Sequence, residues 1–157
     1  MDNEYAVLLR SLLTDQNVLS LGVLIDGEPF VGMVPFSAAQ DYRGLIIHAS
    51  ALARHSKGLS QGAAVAMLIH ASDSPGQDPL QLPRVSLQGQ AQLLQRGSAE
   101  FEECKRTYLN KFPQSEMTFS LADFQLYLLE LHSGRFTAGF ARTLNLNKDH
   151  FHELASF

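Results

Sequence analysis

One stretch of strict alternation constrains this chain more than any other feature. From Val85 to Leu93, the residues Val85, Leu87, Gly89, Ala91 and Leu93 alternate with Ser86, Gln88, Gln90 and Gln92. A period of two places one set on each face of an extended strand, and here one face is apolar and the other wet. A strand of that kind belongs to an antiparallel sheet with a core on one side and solvent on the other.

Other segments carry compatible signals. Val18 to Ile25 and Phe30 to Phe36 flank Asp26-Gly27, a dipeptide suited to the positive φ angles of a two-residue hairpin. A polar turn, Gln40 to Gly44, leads into Leu45 to His48, so these three strands are expected to form a meander. Ala64 to His70 reads as a buried strand, and Ser72 to Pro83 as an exposed loop. Phe124 to Leu131 and Phe136 to Phe140 read as the last strands, turned at His132-Ser133-Gly134. Helices are expected over Glu4 to Leu13, from Ser50 to Gly62, and from Ser98 to about Asn110. The last carries Glu100, Glu102 and Glu103 in its first turn and Phe101, Cys104 and Tyr108 as its buried stripe. These elements predict a mainly β fold with peripheral helices, an antiparallel barrel of six to seven strands. One domain is expected over 1–157, with a core spanning about 5–145 and a polar tail, 146–157.

Composition narrows the partners. The chain has 157 residues, 12 basic and 16 acidic, for a formal charge of −4, which speaks against a nucleic-acid partner. Cys104 is the single cysteine, so there is no internal disulfide and no Cys-rich zinc site. On the apolar stripe of an acidic helix its thiol is expected in the core and not as a nucleophile. No apolar run reaches the ~18–20 residues of a membrane span. Met1 to Asp15, with three acidic residues and one Arg, does not read as a secretory leader, so a cytoplasmic protein is expected. There is no Walker loop, His-Glu zinc motif or Gly-x-Ser-x-Gly elbow.

The strongest candidate site is the helix start at Ser50. Its hydroxyl and unpaired backbone N–H groups suit an anion, and Arg54, His55 and Lys57 crowd the next two turns. Cations at a helix N-terminus oppose the dipole unless an anion lies between them. A phosphate site and an ordinary solvated basic face are both open at this point. Arg84, at the start of the alternating strand, is either a further contact to the same anion or a surface residue. His150 and His152 are separated by one residue and have no third ligand nearby, so no metal site is expected there.

The segments Pro29 to Phe36, His48 to Lys57, Asp78-Pro79-Leu80, Pro83 to Gly89, and Gly134-Arg135-Phe136 through Phe140 together resemble the FMN-binding split-barrel proteins related to pyridoxamine 5′-phosphate oxidase. The closest resemblance is to the haem-utilisation or FMN-binding branch. It covers residues 5 to 145, and its individual motifs are weak alone. It implies an antiparallel split barrel and a homodimer with FMN in clefts at the subunit interface. It also implies Ser50, Arg54, His55 and Lys57 as phosphate ligands and Arg84 as a further contact. Met33, Val34, Pro35 and Phe36 would line the isoalloxazine ring, partly through backbone groups. The oxidase has Arg-Lys where this chain has Arg54-His55, and its C-terminal substrate-binding Arg and His motif has no counterpart. The expected function is that of a flavin-dependent oxidoreductase of unknown substrate. The alternatives are a haem-binding or haem-degrading protein, with His150 or His152 as iron ligand, and a non-catalytic flavin module; a deazaflavin is a further cofactor option.

Overall fold

The computed structural model describes residues 1–157. Helix α1 (Asn3–Asp15) opens on Asp2, whose side chain accepts the Glu4 N–H, and buries Ala6, Leu9, Leu12 and Leu13. Strands β1 (Val18–Ile25) and β2 (Glu28–Pro35) form the expected hairpin. Asp26 and Gly27 have φ of 51° and 78°, the left-handed pair that a tight turn of this hand needs. After the two-residue β3 (Ser37–Ala38) come β4 (Gly44–Ser50), β5 (Ala64–His70) and β6 (Arg84–Leu93). Helix α2 (Ala99–Lys111) precedes the long β7 (Phe124–Gly139), then β8 (Arg142–Asn147) and α3 (Lys148–Glu153).

All eight strands join one antiparallel sheet in the order β2-β1-β5-β6-β7-β4-β3, with β8 pairing the far half of β7. The expected meander stops after two strands. The strand after the second turn, β4, lies beside β7 and β3 and not beside β2. The expected turn at His132-Ser133-Gly134 does not exist either. Ser133 pairs with Gln88 on one side and Asn147 on the other, and Gly134 pairs with Leu87 and Leu146, so the strand runs straight through. What the polar triplet marks is a bulge. Gln88 faces Ser133 while Gly89 faces Leu131, which leaves His132 as the extra residue. The bulge reverses the parity of β7: Phe136 points into the main core, and so do Leu131, Leu129 and Tyr127. Gly89 is required opposite the bulge, because a Cβ there would stand 1.7 Å from the Glu130 carbonyl oxygen.

The two faces of the sheet are covered differently. The inner face and α1 enclose the main core, including Leu21, Phe36, Ile47, Val85, Leu87 and Phe136. On the outer face, α2 covers only β3, β4 and the first half of β7. There Phe101, Cys104, Tyr108 and Phe112 pack on Ile46, Leu126 and Leu128. Double coverage explains the unbroken apolar runs Leu45-Ile46-Ile47 and Leu126 to Leu129, all essentially fully buried. Burial pushes the Cys104 thiol up to about 11, consistent with a core role.

The other half of the outer face is bare. Two rows cross it in register: Met33, Ser20, Leu68, Ser86, Arg135 and Asn145; then Val31, Gly22, Ala66, Gln88, Ser133 and Asn147. Leu93 was expected on the apolar face, but the buried alternation ends at Ala91. Leu93 is exposed, and Leu94 turns into the smaller cluster.

The C-terminal segment is folded, not a polar tail outside the core. Asn147 caps α3 through a reciprocal box in which its side chain accepts the His150 N–H and His150 Nδ1 accepts the Asn147 N–H. Phe151 and Leu154 then sink into the main core, where both are essentially inaccessible. Polar residues dominate the segment's composition because only one side of this short helix is buried. Truncation by Phe151→Ala is expected to cost about 3–5 kcal/mol in urea unfolding; a loss under about 1 kcal/mol would mean that α3 is not part of the core.

Candidate functional site

Strand β4 ends at Ser50, still paired with Phe124, and the chain then turns sharply. No long helix follows. Arg54–Gly58 is a five-residue 3-10 turn that begins after Ala53 and has no side-chain cap. Ser50 caps nothing helical: its hydroxyl donates to Asp123 Oδ2 at 2.8 Å and accepts the Leu52 N–H at 3.1 Å. Its carbonyl accepts from the Ala53 N–H and from the Ser56 hydroxyl. The helix-dipole argument for an anion therefore fails, since a single 3-10 turn carries no macrodipole to speak of. The Ser50 hydroxyl is already committed to a carboxylate.

The basic residues nevertheless share one turn. The 3-10 turn lies across β1 and β2, so close that a Cβ on Gly58 would meet Val23 Cβ at 2.6 Å. Arg54 lies over the Phe30 ring at 5.1 Å, a cation–π contact. His55 fills the space left by Gly32, where a Cβ would stand 2.9 Å from its Nδ1. Its Nε2 is buried without a hydrogen-bond partner, and burial lowers its pKa. Arg54 and Lys57 are exposed, and neither has a carboxylate within ion-pair distance. Arg54 and Lys57 thus stand on either side of His55 along one turn, both without counter-ions, and two such cations suit a doubly charged oxyanion.

The remaining sequence-predicted residues divide. On β2, Met33 and Pro35 are exposed on the outer face, whereas Val34 and Phe36 are buried in the main core. The side chains of Val34 and Phe36 therefore cannot line a ring, and their backbone faces β1, where the Phe36 N–H donates to the Asn17 carbonyl at 3.1 Å. β2 is an edge strand, paired with β1 alone, so half its backbone N–H and C=O groups face outward unpaired. The basic turn lies on the inner side of that edge and Met33 on the outer side. Arg84 does not join the basic turn within one chain. It pairs with His70, about 16 Å along the strands from the Phe30 row at ~3.3 Å per residue. Its guanidinium donates to the Leu82 carbonyl at 3.0 Å and the Leu80 carbonyl at 3.4 Å, holding its own loop.

His150 and His152 differ in availability. Because His150 Nδ1 accepts the Asn147 N–H, neutral His150 carries its proton on Nε2 and has no free lone pair there. His152 is exposed and lines a shallow cleft with Arg43, Glu130 and Lys148. Sequence reasoning missed one further polar group on the bare outer face. Arg135 donates to Asn145 Oδ1 at 2.7 Å and Thr143 Oγ1 at 3.0 Å. Reading a turn at His132 to Gly134 hid the strand that carries it.

The fold is the split barrel, as the sequence resemblance implied, and comparison with solved structures shows the same. A haem-binding protein from Mycobacterium smegmatis superposes with a TM-score of 0.84 at 21% identity, over 97% of this chain and 61% of that one. The haem storage protein HutZ from Vibrio cholerae gives 0.70 at 21% identity, over 79% and 87%. A second Mycobacterium smegmatis protein, which binds FAD and haem, gives 0.62 at 16% identity, over 93% and 82%. This chain thus spans about three-fifths of the length of the first of these. No protein-family model and no curated protein sequence matches it. No helix is long and apolar enough to cross a membrane.

The strand that carries Ser50 also carries His48, whose ring stacks on Phe119 at 3.8 Å and contacts Tyr108 and Phe124. The Thr118 hydroxyl donates to the Ser115 carbonyl, so His48 Nδ1 must be the donor to Thr118 Oγ1 at 3.1 Å. Burial, reinforced by Arg96 and Lys105, lowers the His48 pKa to about 4. The unfolded chain therefore binds a proton that the folded one rejects between about pH 6.5 and 4. This stability is complete above the upper value and lost as pH falls to the lower. Urea unfolding is expected to weaken by about 2–3 kcal/mol from this group between pH 7.5 and 4.5. The difference should shrink in His48→Gln; an unchanged pH slope in that variant would contradict the assignment.

Proposed function

We propose that this chain is a flavin-binding protein that holds FMN and acts as a flavin-dependent oxidoreductase. The observation that carries the reading is the pair of unpaired cations, Arg54 and Lys57, beside the orphaned Nε2 of His55. A phosphate monoester carries about −1.5 to −2 charges near neutral pH, which two cations match. The ring system of a flavin presents alternating N–H and C=O groups along one edge. On the open edge of β2, the N–H and C=O of Met33 and the C=O of Pro35 point away from β1 and offer complementary backbone groups. Bound FMN supplies two-electron redox chemistry, and the chain's part is to fix its phosphate and its ring edge.

A homodimer belongs to the same proposal. Val18, Leu24, Val31, Met33 and Leu68 are exposed apolar residues on the outer face of three adjacent strands, β2, β1 and β5. A second copy seated there would bury that patch and wall the free edge of β2 into a cleft. Arg84, remote from the basic turn of its own chain, would then be free to serve the partner's cleft.

Flavin fluorescence quenching tests the phosphate cradle. Arg54→Ala and Lys57→Ala are each expected to weaken FMN binding by about ten- to a hundredfold, since a charge-assisted hydrogen bond is worth ~1.5–3 kcal/mol. Unchanged affinity in both variants would refute the reading.

A second reading, haem binding, is favoured by the availability of His152 on a fold whose solved neighbours include haem-binding proteins. His150 would have to surrender its capping box to ligate iron, whereas His152 would surrender nothing. A haem-induced Soret band is therefore expected to shift in His152→Ala and to persist in His150→Ala. The reverse pattern would contradict this assignment of the ligand.

A further inference from the structure

A cavity of about 350 Å3 lies between the end of α1, the β3–β4 loop and the end of α2. It falls in the ordinary size range of small-molecule sites, ~300–1,000 Å3. None of its lining residues belongs to the basic turn, or to the exposed apolar patch on β2, β1 and β5. Its polar lining is Thr14, Ser37, Gln40, Tyr42, Thr107 and Asn110, and no Asp or Glu takes part. Ser37, at 5% exposure, is one of two polar side chains buried in this chain. The other, His48, is engaged with Thr118.

Lys111 supplies the one formal charge of the cavity. Its Nζ stands 4.4 Å from the centre of the Phe36 ring and 5.5 Å from that of Phe112. It donates to the Gln16 carbonyl at 2.5 Å and has no carboxylate within ion-pair distance. An ammonium packed against two rings and served by one neutral acceptor has lost water without gaining a counter-charge. Burial lowers the Lys111 pKa to about 8, against an opposing pull from Asp15 on α1. A desolvated lysine of this kind is a nucleophile, and an aldehyde carbonyl is the group its neutral amine captures without a metal or a paired acid.

The lining selects among aldehydes. Once the amine is consumed, no second cation is present to hold an anion. An apolar tail would strip water from the hydroxyls and amides without replacing their hydrogen bonds. Hydroxyl groups on the ligand satisfy both conditions, since each donates and accepts. We propose that this cavity captures short hydroxyaldehydes as an imine with the Lys111 amine. The nitrogen bonds to the aldehyde carbon, and the carbonyl oxygen leaves as water with the two amine hydrogens. No oxidant or reductant takes part, and hydrolysis reverses the step. The site is independent of flavin binding, which rests on a different turn of the chain.

The test treats the full chain with glyceraldehyde or with propanal, each with cyanoborohydride to reduce and fix the imine. Peptide mass mapping then reads the rate at Lys57, Lys105, Lys111 and Lys148. Near neutral pH, Lys111 is expected to react with glyceraldehyde about tenfold or more faster than the others, since about a hundredfold more of its amine is neutral. With propanal, which has the same number of carbons and no hydroxyl, that advantage should shrink at least about threefold. Asn110→Phe, which fills the cavity from an exposed position of α2, should remove most of the advantage and leave the rates at Lys57, Lys105 and Lys148 unchanged. Labelling of Lys111 no faster than of the other lysines would overturn the proposal. So would an equal advantage with the two aldehydes, or an advantage that survives Asn110→Phe. The comparison of aldehydes needs no variant. Because FMN is absent, the outcome is separate from the fate of the flavin reading.

Discussion

The structure depends on the pairing of one long strand. β7 spans Phe124–Gly139 and is hydrogen-bonded to β6 along most of its length, to β4 over its first half and to β8 over its second. No other strand has three neighbours. The bulge at His132 lets this strand serve two environments. Before it, both faces are buried, one against the main core and one against α2. After it, one face is core and the other is bare. Gly89 makes the bulge possible by admitting the Glu130 carbonyl where any side chain would collide.

That change in covering generates the candidate sites. Where α2 ends, the outer face of the sheet is left open, and Arg135 stands on the open side of β7. At the opposite margin the sheet ends in β2, an edge strand without a partner, with the basic 3-10 turn packed behind it. The basic turn thus lies inside the edge of the sheet and Arg135 outside it. The basic turn depends on a glycine that clears space, Gly32, where a Cβ would stand 2.9 Å from His55 Nδ1.

Much of the fold was legible in the sequence, because local rules governed it. The Asp26-Gly27 hairpin, the wet and dry faces of β6, and the α2 stripe of Phe101, Cys104 and Tyr108 follow from turn chemistry and periodicity. The failures were where tertiary pairing decided. Nothing local distinguishes a bulge at His132-Ser133-Gly134 from a turn, since a polar triplet with glycine suits both. Nothing local says that β4 joins β7 rather than β2. At the site, the clustering of Arg54, His55 and Lys57 was legible, but its proposed cause was not correct. No helix dipole is present, and the informative features are the missing counter-ions and the unpartnered Nε2 of His55. The tail was misread because composition alone does not reveal that Phe151 and Leu154 share the buried side of a capped helix.

The most direct test of the account compares two ligands that differ only in the phosphate. Calorimetric titration of the wild-type chain with FMN and with riboflavin isolates the contribution of Arg54, Lys57 and His55. Two charge-assisted contacts at ~1.5 kcal/mol or more each predict that FMN binds at least about a hundredfold tighter. Affinities within about threefold of each other, or no binding of either, would contradict it.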